Sequence, residues 1–417
     1  MVSHAVKSFF IKNKIVFVMG LTALVIAGTA DLFAGLLLNN MEDYLVAVPG
    51  MMILIYSAIG MRGNIFGAMG SRIGTAMHMG TFQMNFKKGG VLKANVESAI
   101  SLTLCLSVAM GITTWAVALL FFDGTKSVFD FIFISTFGGL LAGFIVMMFN
   151  ILIAKEGYKR DWDVDNITAP LIAAIGDIVT MPMIFLATWL FFTIGNDTSG
   201  ELIITILALV LVAITVIYSA RVITQAVNKR DFSGEAKRIV IQSLPVLLFC
   251  LIFEIGAGII IENEEKQLIT YAVLLIMMPA FLNEGNALSG MLTSRLSSMI
   301  HLGTMKTKAS PPKEALENFC IMYICAMITF TYIGMIAYIA TLITTGGSVD
   351  IGLVETLAII LIAGALATTI LNFLSYYIAV LATKFGLDPD DHCIPITSSV
   401  MDLAGSFVMV LVIMLFI

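Results

Sequence analysis

Two aspartates, Asp177 and Asp402, each end an apolar stretch opened by a cluster of acids: "DVDNITAPLIAAIGD" at 163–177 and "DPDDHCIPITSSVMD" at 388–402. With helices starting near Ile167 and His392, a rise of about 1.5 Å per residue puts both carboxyls about 15 Å deep, at the bilayer midplane. An ionised carboxylate there costs on the order of 2.5–3.5 kcal/mol even on lenient insertion scales. Two of them on a common axis repel unless protonated or bridged by a cation, so the chemistry expected is a midplane cation site. The rival reading, in which each aspartate pairs with Arg72 or Arg295, needs no ion. One and two turns earlier on the same faces stand Ala173 and Ala169, and Ser398 and Ile394, small or modest enough to leave room for a hydrated ion. Two carboxylates with few other oxygens suit Mg2+, which keeps most of its waters, better than Ca2+, which takes about six to eight oxygen ligands. Zinc or copper would call for more His or Cys.

Further acids lie along the same path. Asp31 and Glu254 fall about 15 residues along helices entering from the cytoplasm, hence about 23 Å up. That height makes them a candidate second ion site or outer vestibule, or carboxylates reaching the nearby interface. Asp161, Asp163 and Asp165, and Asp388, Asp390 and Asp391, belong at the cytoplasmic mouths, where they attract cations or cap helices. Asn64 and Asn286 stand in "GMRGN" (60–64) and "LNEGN" (282–286). Glycine, asparagine and a charge at membrane depth predict a broken helix lining a cavity. Asn64, Asn286, Ala173, Ser398, Arg72 and Arg295 are therefore the pore-lining candidates; His78 and His301 read as interface packing.

These residues need a scaffold, and composition limits it. With 59% hydrophobic and 12% charged residues the chain is no water-soluble globule. It reads as an all-α polytopic membrane protein of about eleven transmembrane helices. No cleavable signal is expected. Five cysteines without CxxC spacing read as small core residues, and no phosphate-cradling glycine motif provides for ATP-driven transport. No enzyme activity and no nucleic-acid partner are expected.

The pattern repeats. At a spacing of 223 residues Asp31 meets Glu254, "SRIGTAMHMGT" (71–81) meets "SRLSSMIHLGT" (294–304), and Arg72 meets Arg295; at 225, Asp177 meets Asp402. The expected organisation is a five-helix unit at 1–199, a linker helix at 200–230 and a second five-helix unit at 231–417. The extra helix makes the two units parallel. Of 23 lysines and arginines, eighteen fall in the N-terminal tail and in every second loop. This predicts a multi-pass cell-membrane protein with a cytoplasmic N-terminus and an extracellular C-terminus.

"GMRGN" followed by "SR", then a "DxDN" run with a proline and an aspartate opening the fifth helix, resembles the MgtE magnesium channels and the related eukaryotic solute-carrier magnesium transporters. The resemblance implies two fused five-helix units acting as a monomeric pseudo-dimer, with metal ions and the lipid bilayer as partners. It also implies that the fifth-helix aspartates, Asp177 and Asp402 here, bind hydrated Mg2+ in the pore. The chain departs from the pattern in three ways. About 13 residues precede the first helix, so the cytoplasmic sensor domains of MgtE are not expected; one extra residue separates Asn286 from Ser294; and Met401 replaces Gly176. The expectation is Mg2+ transport, exchanged against Na+. The alternatives are a gated or ungated Mg2+ channel, and a transporter of another divalent cation or a small solute. An intramembrane aspartyl protease would need a GxGD motif, which neither "AIGD" nor "VMD" meets.

Overall fold

A computed structural model describes residues 14–87, 90–160, 164–195, 197–225, 234–347, 349–385 and 393–417. The first half contains α1 (Lys14–Asn39), the short α2 (Glu42–Ala47), α3 (Met51–His78), α4 (Val91–Phe121), α5 (Val128–Arg160) and α6 (Val164–Ile194). After α7 (Thr198–Ile223) the series recurs as α8 (Glu235–Asn263), the short α9 (Glu265–Thr270), α10 (Ala272–His301), α11 (Lys313–Thr344), α12 (Leu353–Phe385) and α13 (Ile394–Phe416). Among the described residues eleven helices are long and apolar enough to cross a membrane. Helices are the answer that hydrocarbon imposes, since each peptide group finds its hydrogen bond within its own segment. The chain is an all-α, multi-pass membrane protein.

Six of these helices touch in a closed circuit, α1 to α6, α3, α8, α13, α10 and back to α1. The circuit interlocks the halves, because α1 packs on α10 and α8 packs on α3. Glycine makes both contacts possible. A Cβ at Gly35 would land on the backbone carbonyl of Ile276, and one at Gly258 on the backbone of Ile53. Both residues of each pair recur at the 223 spacing, so one close approach is made twice. Small residues that let backbones meet are the usual basis of helix association in lipid, where burial of apolar surface gives no drive. A second tie runs from Glu262 at the end of α8, whose carboxylate accepts hydrogen bonds from Gly50 N (2.5 Å) and Met52 N (2.9 Å) at the start of α3. It satisfies amides that the first turn of a helix leaves open.

The expected breaks at 60–64 and 282–286 are absent: α3 and α10 run unbroken through both stretches. A glycine weakens a helix by only about 1 kcal/mol, too little to open one packed on both sides. The interruption falls earlier, at 48–50, where Gly50 adopts φ +93° between α2 and α3.

The glycines of α3 act instead by the space they leave. Nothing lies within 4 Å of a Cβ built at Gly63 or Gly67, nor at Gly290 or Gly176. By contrast Met51 to Ile55 in α3 and Leu274 to Met278 in α10 are wholly buried. The N-terminal ends of α3 and α10 are thus tightly packed, while open space adjoins these glycines nearer their C-terminal ends.

These two kinds of glycine separate by experiment. Gly35→Ala and Gly258→Ala should each sharply reduce the folded, monodisperse yield on size exclusion in detergent. Gly63→Ala and Gly67→Ala should leave it within about a quarter of wild type.

Candidate functional site

Four buried carboxyls come from four helices of the circuit, one from each of α1, α6, α8 and α13. Asp31, Asp177, Glu254 and Asp402 are 0%, 3%, 1% and 7% exposed, so none relies on bulk water. Asp31 lies within hydrogen-bonding reach of Asp177, and Glu254 within reach of Asp402. Asp177 also feels the charge of Asp402 from the other half. The site is two carboxyl pairs that face each other. Asp31 and Glu254 accordingly do not form the separate site that their position along the helix suggests. Counting residues measures length from each helix's own start, and α1 and α6 do not start at one level.

Neutral donors hold the pairs in place. Asn283 Nδ2 donates to Asp31 Oδ2 (2.8 Å), and Asn286 Nδ2 donates to Asp402 Oδ1 (2.8 Å). Ser399 Oγ donates to Glu254 Oε1 (2.7 Å) while accepting from Asn64 Nδ2 (3.0 Å), and Ser398 Oγ donates to Asn64 Oδ1 (2.7 Å). Asp31 Oδ1 and Asp402 Oδ2 are left buried with no partner. Buried carboxylates in contact, with oxygens to spare, require a proton or a cation between them. Among the described residues no three His, Cys, Asp or Glu side chains close up enough to grip a bare ion. The donor set fits an ion held at a distance through its own water.

The two halves differ in how they seat the flanking acid. Where the second half presents Asn283 to Asp31, the first half has Gly60, whose missing side chain makes room: a Cβ there would collide with the Glu254 carboxyl. The shorter acid meets the longer neighbour, and the longer acid meets none. Asn64 and Asn286 are not equivalent either, since both reach α13 instead of one reaching α6. The residues of α6 matching Ser398 and Ser399 are Ala173 and Ala174, which cannot bond an asparagine.

Arg72 and Arg295 turn aside. Each Nε donates to an asparagine of its own half, Asn95 and Asn318, at 2.9 Å in both cases. Arg62 is buried with its guanidinium beside Ser107 and Gly139, and Glu284, its counterpart in the motif, is buried against Thr329. Ser398 lines the site, bonded to Asn64. Asp161, Asp163, Asp388, Asp390 and Asp391 lie outside the described residues, as do the side chains of Asp165, Ala173, His78 and His301. Sequence reasoning passed over Asn283, Ser399 and Gly60. The exchange of Asp31 with Asn283 for Glu254 with Gly60 between the two copies was the available signal.

The family model MgtE, a divalent cation transporter, matches the chain twice, over residues 55–188 and 278–412. The chain belongs to the MgtE family. The mouse protein named solute carrier family 41 member 3 is 22% identical over 93% of this chain and 80% of its own length. The Xenopus laevis solute carrier family 41 member 2 is 20% identical over 93% of this chain and 69% of its own. No solved structure matches. One MgtE stretch contains Asp177 and the other Asp402, but neither reaches Asp31 or Glu254, so half of the carboxyl cluster comes from helices beyond the matched region.

The seating of Glu254 can be tested by exchange. Gly60→Ala should abolish divalent-cation stabilisation in a thermal melt, because the methyl displaces the carboxyl. Adding Glu254→Asp, one methylene shorter, should restore at least half of the shift.

Proposed function

We propose that this MgtE-family chain carries Mg2+ across the membrane, held as a largely hydrated ion between Asp177 and Asp402. The observation that carries this reading is the two interacting carboxyl pairs with buried oxygens left unpartnered; we read the open space at Gly63, Gly67, Gly176 and Gly290 as a lumen closed at the N-terminal ends of α3 and α10. A divalent ion balances two negative charges at once, and its water donates to oxygens the protein leaves unpaired. Asp31 and Glu254 then act on the same ion, each by reinforcing the negative potential behind its neighbour. Asp165 and Asp390 would draw cations to the mouth of the path.

The reciprocal glycine contacts and the double family match support two parallel units, 1–199 and 231–417, joined by the helix of 200–230. One such chain would then be a pseudo-dimer, complete as a monomer. The distribution of lysine and arginine favours a cytoplasmic N-terminus and an extracellular C-terminus. The open end of the lumen, beside the loops that carry Lys87 and Lys306, is then cytoplasmic, and the packed end is a gate facing outward. A lumen open to one side only suits alternating access. In that scheme Na+ exchanges with Mg2+ by competing for the single carboxyl cluster, with no dedicated site of its own. The channel reading differs in needing only the packed end to open.

Flux in proteoliposomes tests the proposal. Asp177→Asn and Asp402→Asn should each lower Mg2+ uptake at least fivefold, with the folded yield retained. Uptake above about half of wild type in either variant places the ion elsewhere. At clamped voltage an outward-directed Na+ gradient should accelerate Mg2+ entry; rapid flux indifferent to Na+, with single-channel steps, establishes the channel. Gly67→Phe, which fills the lumen away from the carboxyls, should block flux while leaving Mg2+-dependent thermal stabilisation in place.

A further inference from the structure

The linker helix α7 rests on the outer side of α4 and α5. Ser219 of α7 accepts from Ser101 Oγ (3.1 Å) and lies 3.1 Å from Cys105 Sγ, and Gln225 Nε2 donates to Glu97 Oε2 (3.0 Å). The corresponding position in the second half, between α11 and α12, is covered by no helix among the described residues. An open groove of about 670 Å³ lies there, lined by Leu316, Phe319, Tyr323, Ile324, Met327 and Asn372 among others.

What occupies that seat follows from how it differs from the first. At the 223 spacing, the residues that bond α7 are replaced by apolar or weakly polar ones: Glu97 by Cys320, Ser101 by Ile324 and Cys105 by Ile328. Helices associate in lipid through small residues and polar contacts, since hydrocarbon competes equally for apolar surface. A seat stripped of those groups is no longer built for a helix. Its shape and surface suit an alkyl or ring body drawn from the bilayer.

One polar group remains. Asn372 is 1% exposed, and both of its amide atoms lack a hydrogen-bond partner. In the first half Asn150 donates to the carbonyl of Phe66 (2.9 Å), and its counterpart at the 225 spacing, Ser375, donates to the matching carbonyl of Ser289 (3.2 Å); Asn372 stands on the groove wall where the first half has Met147, and neither contact uses it. An amide with donor and acceptor both free is matched by a hydroxyl, which offers both. Tyr323 and Thr369 are bonded to each other (2.5 Å) and do not serve it.

We propose that the α11–α12 groove binds a membrane lipid whose apolar body lies along Phe319, Ile324 and Met327 and whose hydroxyl meets the amide of Asn372. The lipid stands in the second half where the linker helix stands in the first.

Photo-crosslinking of the full chain in nanodiscs tests this, using diazirine-bearing cholesterol and diazirine-bearing diacylglycerol as the hydroxyl probes and a diazirine phosphatidylcholine as the bulk control. Adducts mapped by mass spectrometry should concentrate on residues 316–328 and 372–373 at least threefold over α4 and α5, for at least one hydroxyl probe and not for the control. Asn372→Leu should lower that labelling at least threefold, and Ile324→Trp, which fills the groove from its other wall, should do the same. Two variants acting from opposite walls, each checked for an unchanged melting temperature, separate loss of the lipid from loss of the fold. Even labelling over the whole lipid-facing surface, or labelling untouched by Asn372→Leu, overturns the proposal. So does a crosslink from Cys320 to another polypeptide that excludes the probes, which would return the groove to a helix.

Discussion

Four carboxyls shut away from water, Asp31 paired with Asp177 and Glu254 with Asp402, are the constraint to which the remaining structure answers. Their mutual repulsion in a low-dielectric interior far exceeds what a typical hydrogen bond offsets. Asparagine and serine donors around the cluster share the load without neutralising it, and the arginines of the neighbouring segments turn to asparagines of their own. In the proposed reading, the charge that completes the site comes from outside the fold. A protein that supplied it internally, with an arginine bridging Asp177 and Asp402, would be more stable and would carry nothing.

The two copies of the unit have kept their backbone contacts and exchanged their side-chain chemistry. Gly35 on Ile276 and Gly258 on Ile53 are the same contact made twice, because a backbone approach admits one residue type. The polar network has no such restriction, and it has drifted to one side: α13 receives both Asn64 and Asn286. A symmetric pore would hold an ion with equal strength from both walls. Here the described hydrogen bonds gather on α13, where Asp402 accepts from Asn286 and Ser399 donates to Glu254; in the proposed reading an ion would meet a better-supported partner in Asp402 than in Asp177.

Much of this was readable in the residues alone, and the limits were physical. The eleven spans and the burial of Asp177 and Asp402 declare themselves because acid within a long apolar run is a local signal. The continuity of α3 and α10 does not, since a glycine that breaks a helix, one that admits another backbone and one that leaves a void look alike until the neighbour is known. Gly50, Gly35 and Gly67 are three different answers to that question. The meeting of Asp31 with Asp177 was hidden for a related reason: counting along a helix gives distance from its start, and contact depends on where that start sits. Ser399 and Asn283 bond partners more than a hundred residues away, beyond any pattern of spacing.

The interlocked circuit bears on how the protein is made. Chains enter the membrane from the N-terminus onward, so α1, α3 and α6 are in place before α8 and α10, the helices that seal them, have been synthesised. For that interval the half-built wall exposes Gly35 without its backbone partner, and holds Asp31 and Asp177 with neither Asn283 nor the opposite pair. Such an intermediate is poorly suited to hydrocarbon and depends on the insertion machinery to shelter it until translation catches up. Damage to α10 would then surface as early loss of the first half, in the pattern of a quality-control substrate and not of a transporter with one defective domain.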